Sequence, residues 1–393
     1  MRFPEFEGEW EVKKLGEVMD FKVTNSFSRE NLNYEYGTVK NIHYGDIHTK
    51  FQTLFDINYE SVPFINEEID ISRISEENYC KNGDVIFADA SEDLNDVGKS
   101  IEIININEER LLSGLHTLLA RPKKDIFHLG FSGYLFKSNS VRTQIQKESQ
   151  GSKVLSISVG RISKIELSFP SVEEQKKISS FLALLDERIQ TQSKIINDLK
   201  TLKIATAKKI FSGELRFKDD NGNDFSEWED KKLGDISIKK SSNISANTLE
   251  ENQGNFKIYG ANGLLKEIDF YREEKPYIAI VKDGAGVGRL LLCEGKSSVL
   301  GTLDIIKNKE QTDLLFLYYL LETIDFTKFT TGSTIPHIYF KDYSKEIIGL
   351  PSFPEQTKIA NFLSSIDSKI DIENQLLQKL EAQKKYLLQN MFV

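Results

Sequence analysis

The 393-residue sequence predicts an α+β fold in which two mixed α/β domains are separated by two long antiparallel helices. The helices are expected to form a coiled coil, and the whole chain a pseudo-twofold internal repeat. Three observations predict this fold: an ungapped repeat, a coiled-coil pattern in both of its copies, and short β-type runs between them. The predicted boundaries are 1–170 for the first domain, 171–213 for the first helix, 214–351 for the second domain and 352–393 for the second helix.

The internal repeat emerges when residues 151–211 are aligned on residues 332–392, which gives 18 identities in 61 positions without a gap. Roughly four identities are expected by chance at ordinary composition. A second, shorter sequence match aligns Trp10–Gly16 with Trp228–Gly234 in the pattern WExKKLG. Each half of the chain therefore contains an entry segment, a variable region and a repeated C-terminal segment.

The repeated segments carry the apolar pattern of a coiled-coil seam, in alternating steps of four and three residues. The seam residues are Ile178, Leu182, Leu185, Ile189, Ile196 and Leu199 in the first copy, and Ile359, Leu363, Ile366, Ile370, Leu377 and Leu380 in the second. Two helices of equal length and register most simply pair with each other. The alternative is that each helix packs on its own domain.

Both helices are expected to begin with a capping box, formed by Ser171 with Glu174 and by Ser352 with Glu355. The repeat also indicates which side chains pack between helices or against partner subunits. These are Glu174, Gln175, Ile178, Phe181, Leu182, Ile189, Glu355, Gln356, Ile359, Phe362, Leu363 and Ile370.

The variable regions lack helical periodicity and contain short β-type runs bounded by turn signals, such as Val85–Ala88, residues 101–104 and Tyr277–Val281. In both domains one such run is followed by a polar turn and then by Val-Gly and a cation. The cations are Lys99 and Arg289, which we predict to occupy equivalent positions.

The charge and composition limit the possible classes of protein. The net charge of -9 belongs to residues 1–150, which carry 17 Lys and Arg against 26 Asp and Glu, so the remaining residues balance. A nucleic-acid binder then needs a local positive patch or a basic partner. No run of eighteen apolar residues occurs, which predicts a cytoplasmic protein without a membrane segment. Cys80 and Cys293 lie far apart and predict buried free thiols.

Three motifs resemble those of a known protein family: Trp228–Gly234, Gly332–Ile338 and Leu350–Gln356. With the repeat, they make the chain resemble the specificity subunit of Type I restriction-modification systems across essentially its full length. The second copy matches the family pattern more closely, because the first has Lys153–Ser156 where the second has Thr334–His337.

The resemblance implies two target-recognition domains that each read one half of a split, asymmetric site in double-stranded DNA. The two helices would set the gap between the halves. It also implies two methyltransferase (M) subunits, which modify adenine with S-adenosylmethionine, and restriction/translocase (R) subunits, which use ATP and Mg. The chain itself is then expected to be non-catalytic and to bind no cofactor.

The sequence supports this absence of catalysis. The adenine methyltransferase motif (N/D)PP(Y/F) is missing, and no His or Cys spacing is typical of a metal site. The glycine-rich stretch Lys282–Arg289 has the spacing GxGxG and runs into a β-type segment, so it predicts a β-turn and not a phosphate-binding loop. Asp93 likewise stands where a P-loop ending at Ser100 needs its first glycine.

Candidate DNA contacts come from polar, basic and aromatic residues in predicted loops and turns. Residues 40–46 and His48 are predicted to lie in one loop, residues 259–263 in another, and two further groups follow the glycine-rich turns. The candidates are Lys40, Asn41, His43, Tyr44, His48, Lys99, Lys153, Tyr259, Asn262, Lys282, Arg289, Ser333, Thr334, His337 and Tyr339. For each of them a structural or solvated role remains open.

Two other functions remain open on the sequence. One is a coiled-coil adaptor whose two heads bind protein or glycan, which would show no salt-dependent DNA binding. The other is a free-standing enzyme that uses the glycine-rich turn, which a nucleotide would then stabilise.

Overall fold

The computed structural model describes residues 1–124 and 126–392, which divide into two units. Unit 1 consists of Met1–Gln192 and Leu376–Val393, and unit 2 of Ser193–Gln375. Each long helix therefore begins in one unit and ends in the other. The unit boundaries differ from the predicted domain boundaries because each half of a long helix packs against the globular part of one unit, here called its head.

The described residues of unit 1 form mainly short strands. They are β1 Glu11–Lys14, β2 Met19–Lys22, β3 Leu32–Asn33, β4 Lys40–Ile42, β5 Leu54–Asp56, β6 Phe64–Ile65, β7 Val85–Ala88, β8 Ala90–Ser91, β9 Ser100–Asn105, β10 Leu111–Ser113, β11 Thr117–Pro122, β12 Leu155–Ser156 and β13 Glu166–Phe169. The short helices are α1 Leu15–Val18, α2 Tyr44–Thr49, α3 Phe131–Leu135, α4 Asn139–Glu148 and α5 Val159–Ile162.

The strands of unit 1 form two main sheets, ordered β2-β11-β7-β9-β5 and β10-β4-β6-β3. The pairs β5–β9 and β4–β10 are parallel and the others antiparallel. Small ladders join β1 to β13 and β8 to β12. Strand β7 is buried along its whole length, as its continuous apolar run predicts.

The long helices are α6, Val172–Phe211, and α10, Phe353–Asn390. Unit 2 otherwise contains the strands β14 Glu229–Lys232, β15 Ser237–Ser241, β16 Phe256–Gly260, β17 Gly263–Ile268, β18 Tyr277–Val281, β19 Leu290–Cys293, β20 Ser298–Val299, β21 Leu303–Asn308 and β22 Ile347–Leu350. Its short helices are α7 Leu233–Ile236, α8 Leu314–Glu322 and α9 Phe340–Tyr343.

Unit 2 repeats the framework of unit 1. Its main sheet has the order β15-β21-β18-β19, which corresponds to β2-β11-β7-β9. Its second sheet, β17-β16-β20, contains the parallel pair β16–β20 where unit 1 has β4–β10. The entry strand β14 pairs with β22 as β1 pairs with β13. The internal repeat seen in the sequence is therefore a repeat of the fold.

Within unit 1, the first half of α6 packs against the last residues of α10. Phe392 joins the core that contains Ile178 and Leu182, and Lys384 pairs with Asp186 further along. Residue numbers thus rise along one helix as they fall along the other. The predicted antiparallel pairing is confirmed within this unit.

Within unit 2, the second half of α6 packs against the first half of α10 in the same antiparallel sense. Ile210 shares a core with Ile359 and Leu363, while Lys203 pairs with Asp367 at 2.9 Å. Ile359 and Leu363 are seam residues that the periodicity assigned, whereas Ile210 extends the packing beyond the predicted seam. Their burial supplies the packing that a long helix needs.

The capping-box prediction was wrong for both glutamates and for Ser352, whose buried hydroxyl makes no hydrogen bond within the described residues, whereas Ser171 Oγ accepts from the N–H of Glu174 at 3.5 Å. Glu174 is buried and accepts hydrogen bonds from Arg2, at 2.8 and 2.6 Å, and Glu355 is buried and accepts from Arg216 and from Trp228 Nε1. A buried carboxylate gains more from a guanidinium than from one backbone amide, because a charge-assisted, two-pronged bond offsets its desolvation. These contacts tie each long helix to its own head.

Two buried glutamines make a second tie between helix and head. Gln175 accepts from the backbone N–H of His128 and donates to the carbonyls of Ile126 and Pro170. Gln356 accepts from the N–H of Asp313, at 2.8 Å, and donates to the carbonyls of Gln311 and Pro351. The same three-bond pattern in both units explains why the repeat retains this residue.

Phe181 and Phe362 lie on the flanks of their helices and remain partly exposed. Phe181 packs edge-on against Phe3, with ring centroids 5.9 Å apart, and Phe362 packs against Phe217 at 5.4 Å. Both rings therefore contact the segment that precedes the entry strand of their unit.

No helix in the described part of the chain is both long and apolar enough to cross a lipid bilayer.

Candidate nucleic-acid interface

The glycine-rich stretch of unit 2 forms the hairpin between β18 and β19, as its spacing predicts. Gly284, Gly286 and Gly288 have φ of 86°, 89° and 86°, a region that other residues rarely adopt. A Cβ at Gly288 would lie 2.7 Å from Phe326. The turn is thus a tightly packed β-turn, and it presents Lys282 and Arg289 on its two sides.

Lys99 and Arg289 occupy equivalent positions, which confirms that part of the sequence comparison. In unit 1 the N–H of Ala88 donates to the carbonyl of Lys99, and in unit 2 the N–H of Val281 donates to that of Arg289. Lys99 Nζ donates to the carbonyl of His48 at 2.7 Å, and Arg289 donates to the carbonyl of Ala261 at 2.9 Å. Lys99 therefore holds helix α2, which follows β4, and Arg289 holds the turn that follows β16.

Two hairpins with glycine at the same position lie beside these turns. The first tip hairpin, residues 150–156, is closed by hydrogen bonds between Gln150 and Ser156, and the second tip hairpin, residues 331–337, by hydrogen bonds between Thr331 and His337. The candidates Lys153, Ser333 and Thr334 lie exposed on these hairpins. The repeat therefore predicted a shared structural element at this point.

The second tip hairpin borders a basic cleft in unit 2. The cleft has a volume of about 590 Å³ and is lined by Lys239, Lys282, Asp283, Asp304, Ile338, Tyr339, Phe340 and Lys341. Lys282 contacts Asp304 at 3.3 Å, and His337 Nδ1 lies 3.2 Å from Asp283. The exposed ring of Tyr339 lies under Lys341, which leaves an aromatic face and an ammonium group at the cleft mouth.

Tyr259 and Asn262 lie on the other side of Arg289. Tyr259 lies in β16, one residue before its end, and is half-buried, and Asn262 is exposed in the β16–β17 turn, where it accepts a hydrogen bond from Arg289 at 2.8 Å. Contacts thus join Arg289 to Asn262, and the cleft brings Lys282 and Tyr339 together.

The predicted loop at residues 40–46 of unit 1 was wrong. Residues 40–42 form β4 and residues 44–49 form α2. Asn41 is buried and accepts a hydrogen bond from Asn25 at 2.6 Å, so it does not face a ligand. Lys40 pairs with Glu109 at 2.6 Å and covers the ring of Phe64. Strand pairing, which local sequence does not reveal, buries Asn41 and leaves Lys40 half-buried.

The remaining candidates of unit 1 form an aromatic cluster at the start of α2. The ring of Tyr44 lies 4.5 Å from His43, 5.9 Å from His48 and 5.3 Å from His116. His43 caps α2 by accepting from the N–H of Gly45 at 3.1 Å. Burial, reinforced by the charge of Arg29, lowers the pKa of His43 to about 4. His43 is therefore neutral at pH 7 and acts as a helix cap.

Unit 1 should lose stability below pH 6.5 because of this histidine. The unfolded chain takes up a proton there while the folded His43 does not until about pH 4, so stability falls as the pH drops through that interval. A His43→Asn variant keeps a cap oxygen and removes the titration. Urea unfolding at pH 7 and pH 4.5 should show a loss on the order of 2 kcal/mol larger for the unchanged protein. Equal losses in the two proteins would contradict the assignment.

Several residues that tie the heads to the helices were missed in the sequence. Tyr134 donates to Asp186 at 2.9 Å in unit 1, and Tyr319 donates to Asp367 at 2.8 Å in unit 2. Both aspartates are identities of the repeat, but the tyrosines lie in the variable regions and have no alignable neighbours. The arginines that hold Glu174 and Glu355 had a signal, because an Arg-Phe pair precedes the entry tryptophan in both halves.

Within residues 1–124 and 126–392, no group of three or more His, Cys, Asp or Glu side chains is placed to hold a metal ion. Cys80 and Cys293 are buried free thiols, and burial raises the pKa of Cys293 to about 12. A thiol in that state is a poor nucleophile at neutral pH.

Comparison with known proteins follows the same division of the chain. The family model described as "Type I restriction modification DNA specificity domain" matches residues 7–201 and 225–382. A putative specificity subunit of the Type I restriction enzyme MjaX from Methanocaldococcus jannaschii is 25% identical over 97% of this chain and 92% of its own length.

Solved structures share the fold over nearly the whole chain. The S subunit of a Type I restriction-modification system from M. genitalium superposes with a TM-score of 0.59 at 16% identity, covering 100% of this chain and 99% of that one. A chain from a structural study of assembly and conformational transition of the type I R-M system gives a TM-score of 0.60 at 14% identity, covering 98% and 97%. Since the family model covers most of both halves, this protein belongs to the family of Type I restriction modification DNA specificity domain proteins.

Proposed function

We propose that this specificity subunit reads a bipartite, asymmetric DNA sequence, with one half-site read by each unit. One observation carries the proposal: the two units share a sheet framework and a cation at the same position, but differ in the loops beside it. A shared framework presents both heads to DNA in the same way. Different loops then read different bases, so the two half-sites differ.

The loops around the equivalent cations differ in chemistry. In unit 1 the neighbours of Lys99 are α2 and its cluster of His43, Tyr44 and His48. In unit 2 the neighbours of Arg289 are the Ala261–Asn262 turn and the basic cleft. Amide and imidazole groups suit base edges, whereas the lysines of the cleft suit phosphates.

The long helices are proposed to set the gap between the half-sites and to dock two methyltransferase (M) subunits. Both helices carry exposed apolar side chains, among them Leu184, Leu202 and Ile372, beside the buried seam. Exposed apolar groups on a rigid rod favour protein contacts. Restriction/translocase (R) subunits complete the proposed complex.

The chemistry is proposed to belong to the partners. The M subunits would bring S-adenosylmethionine, and the R subunits ATP and Mg, while this chain supplies only recognition and spacing. An assembled complex should therefore methylate a bipartite site, and the isolated chain should methylate nothing. Modified-base sequencing of DNA from cells with the complete system would identify the site. DNA binding that ignores salt, or that is absent with the M subunits present, would favour the adaptor alternative.

An Arg289→Ala variant should weaken binding of the assembled complex to its site by about tenfold. The guanidinium is exposed at the hairpin edge and contributes a phosphate or base contact, so its loss should also lower the slope of log K against log salt by about 0.9. Fluorescence anisotropy at several salt concentrations measures both quantities.

A matched control for this variant lies in the same unit. Arg272 is also exposed, but its guanidinium covers Phe270, and it belongs to no candidate contact. Arg272→Ala should leave affinity and salt slope unchanged. Equal effects of the two substitutions would mean that only net charge, and not the hairpin edge, governs binding.

A further inference from the structure

The two tip hairpins carry an exposed, branched apolar side chain at the same position. Val154 is 50% exposed in the first tip hairpin, and Ile335 is 56% exposed in the second. The two residues are separated by 181 positions, which is the offset of the internal repeat. Single exposed apolar residues are common, but here two diverged heads both place one at the end of the same hairpin.

The conformation of both tips is restricted. Gly151 and Gly332 have φ of 138° and 91°, and a Cβ at these positions would lie 1.9 Å from the carbonyl oxygen of Val154 and 2.5 Å from that of Ile335. The glycine therefore makes room for the tip residue to turn back. In this turn the tip side chain of both hairpins stays exposed.

Both hairpins are also anchored to the segments that directly follow β7 and β18 of the main sheets. In unit 1, β12 pairs with β8, and the N–H of Ile157 donates to the carbonyl of Asp89 at 2.9 Å. In unit 2, the N–H of Gly284 donates to the carbonyl of Pro336, and that of Ile338 to the carbonyl of Lys282. The tips are thus fixed relative to the equivalent cations Lys99 and Arg289.

From this arrangement we infer that Val154 and Ile335 are wedges, each of which enters the base stack of its own half-site where the target base is turned out for methylation. The inference rests on the proposed function, because it needs DNA and a methyltransferase. Enzymes that modify a base turn it out of the duplex, which opens a gap in the stack. Apolar side chains on DNA-binding proteins enter and hold open such steps.

DNA fits these tips better than a protein surface. Each tip is a single small side chain, whereas a stable protein interface needs a much larger continuous apolar area. Lys153 adjoins the first tip, and the basic cleft with Lys282 and Lys341 adjoins the second. Cations beside an exposed apolar side chain can bind the phosphates while that side chain inserts between two bases.

The test uses the assembled complex with its M subunits and the site identified by modified-base sequencing. Val154→Thr preserves the shape of the side chain and makes it polar, and Ile335→Thr retains the branch at Cβ. Both residues are exposed, so folding should be unaffected. Methylation is followed separately in each half-site, and 2-aminopurine in place of the target adenine reports whether the base has left the stack.

We expect Ile335→Thr to slow methylation of one half-site by at least tenfold, and Val154→Thr to slow the other. Each variant should also reduce 2-aminopurine fluorescence in its own half-site only, while affinity for the site changes by less than about threefold. Ile335→Val should restore most of the rate. The controls Ile347→Thr and Val23→Thr change exposed residues outside the hairpins and should have no effect.

Three outcomes would overturn the inference. The first is normal methylation of both half-sites by both variants, and the second is equal slowing of both half-sites by either one. The third is loss of assembly with the M subunits, detected by size-exclusion chromatography, which would make the tips protein contacts. If the unsubstituted complex methylates no bipartite site, the proposed function is wrong, and the inference about Val154 and Ile335, which depends on it, is wrong as well.

Discussion

A Gln356→Ala variant is expected to lower the free energy of unfolding of unit 2 by about 3 kcal/mol. The substitution leaves the N–H of Asp313 and the carbonyls of Gln311 and Pro351 without their partner in a buried site. Each unsatisfied buried backbone group costs about 1–3 kcal/mol, partly relieved when water enters. For a unit of this size the melting temperature should fall by roughly 6–12 °C.

Urea unfolding of the full chain, followed by hydrogen exchange at the Asp313 amide, measures this effect. The amide should exchange much faster in the variant, because the substitution removes the side-chain oxygen of Gln356 that accepts its hydrogen bond. Gln375→Ala is the matched control, since Gln375 is exposed on the same helix and in the same unit. If Gln356→Ala and Gln375→Ala had similar stability, the buried glutamine would not tie the helix to the head.

Inserting four residues into α6 is expected to lengthen the gap between the half-sites by nearly two base pairs. Four helical residues add about 6 Å, and one base pair occupies about 3.4 Å. An insertion of four is the stutter that a coiled coil absorbs by local unwinding. The insertion is best placed between Gln192 and Ser193, where α6 passes from one unit to the other, with a second variant extended also between Gln375 and Leu376.

Modified-base sequencing of cells that express each variant would measure the gap directly. Four residues inserted into the exposed turn at residues 219–223 serve as the control, because this turn follows α6 and lies outside both helices. Only the helix insertions should change the gap. A folded helix insertion that still selects the original gap would show that α6 does not measure it.

The repeated segments were the most predictable part of the fold. Their seam residues, such as Ile178 and Leu363, recur at a period that only a packed helix satisfies, and they are buried in the cores of their units. The run Tyr277–Val281 was likewise predictable as a buried strand, because five consecutive apolar or aromatic residues bounded by turn signals suit a strand covered on both faces.

The candidate site was less predictable, because it depends on contacts between segments that are distant in sequence. Lys99 and Arg289 were paired correctly from local motifs that carry the same turn. Asn41 was misplaced because its strand pairs in parallel with β10, some seventy residues later. Nothing local distinguishes such a strand from a polar loop.

The internal repeat, the two long helices and the lack of a methyltransferase motif could be read from the amino-acid sequence without a structure, and its motifs resembled one family. The repeat and the helices follow from periodicity, and the motifs consist of residues near one another in the chain. The folded structure was needed to show that Glu174 and Glu355 bind arginines instead of capping their helices, and that His43 is a neutral helix cap. It was also needed to show that Val154 and Ile335 are exposed on matching hairpins. The reason is physical: burial and the partner of a polar group are set by long-range packing, which a local pattern does not contain.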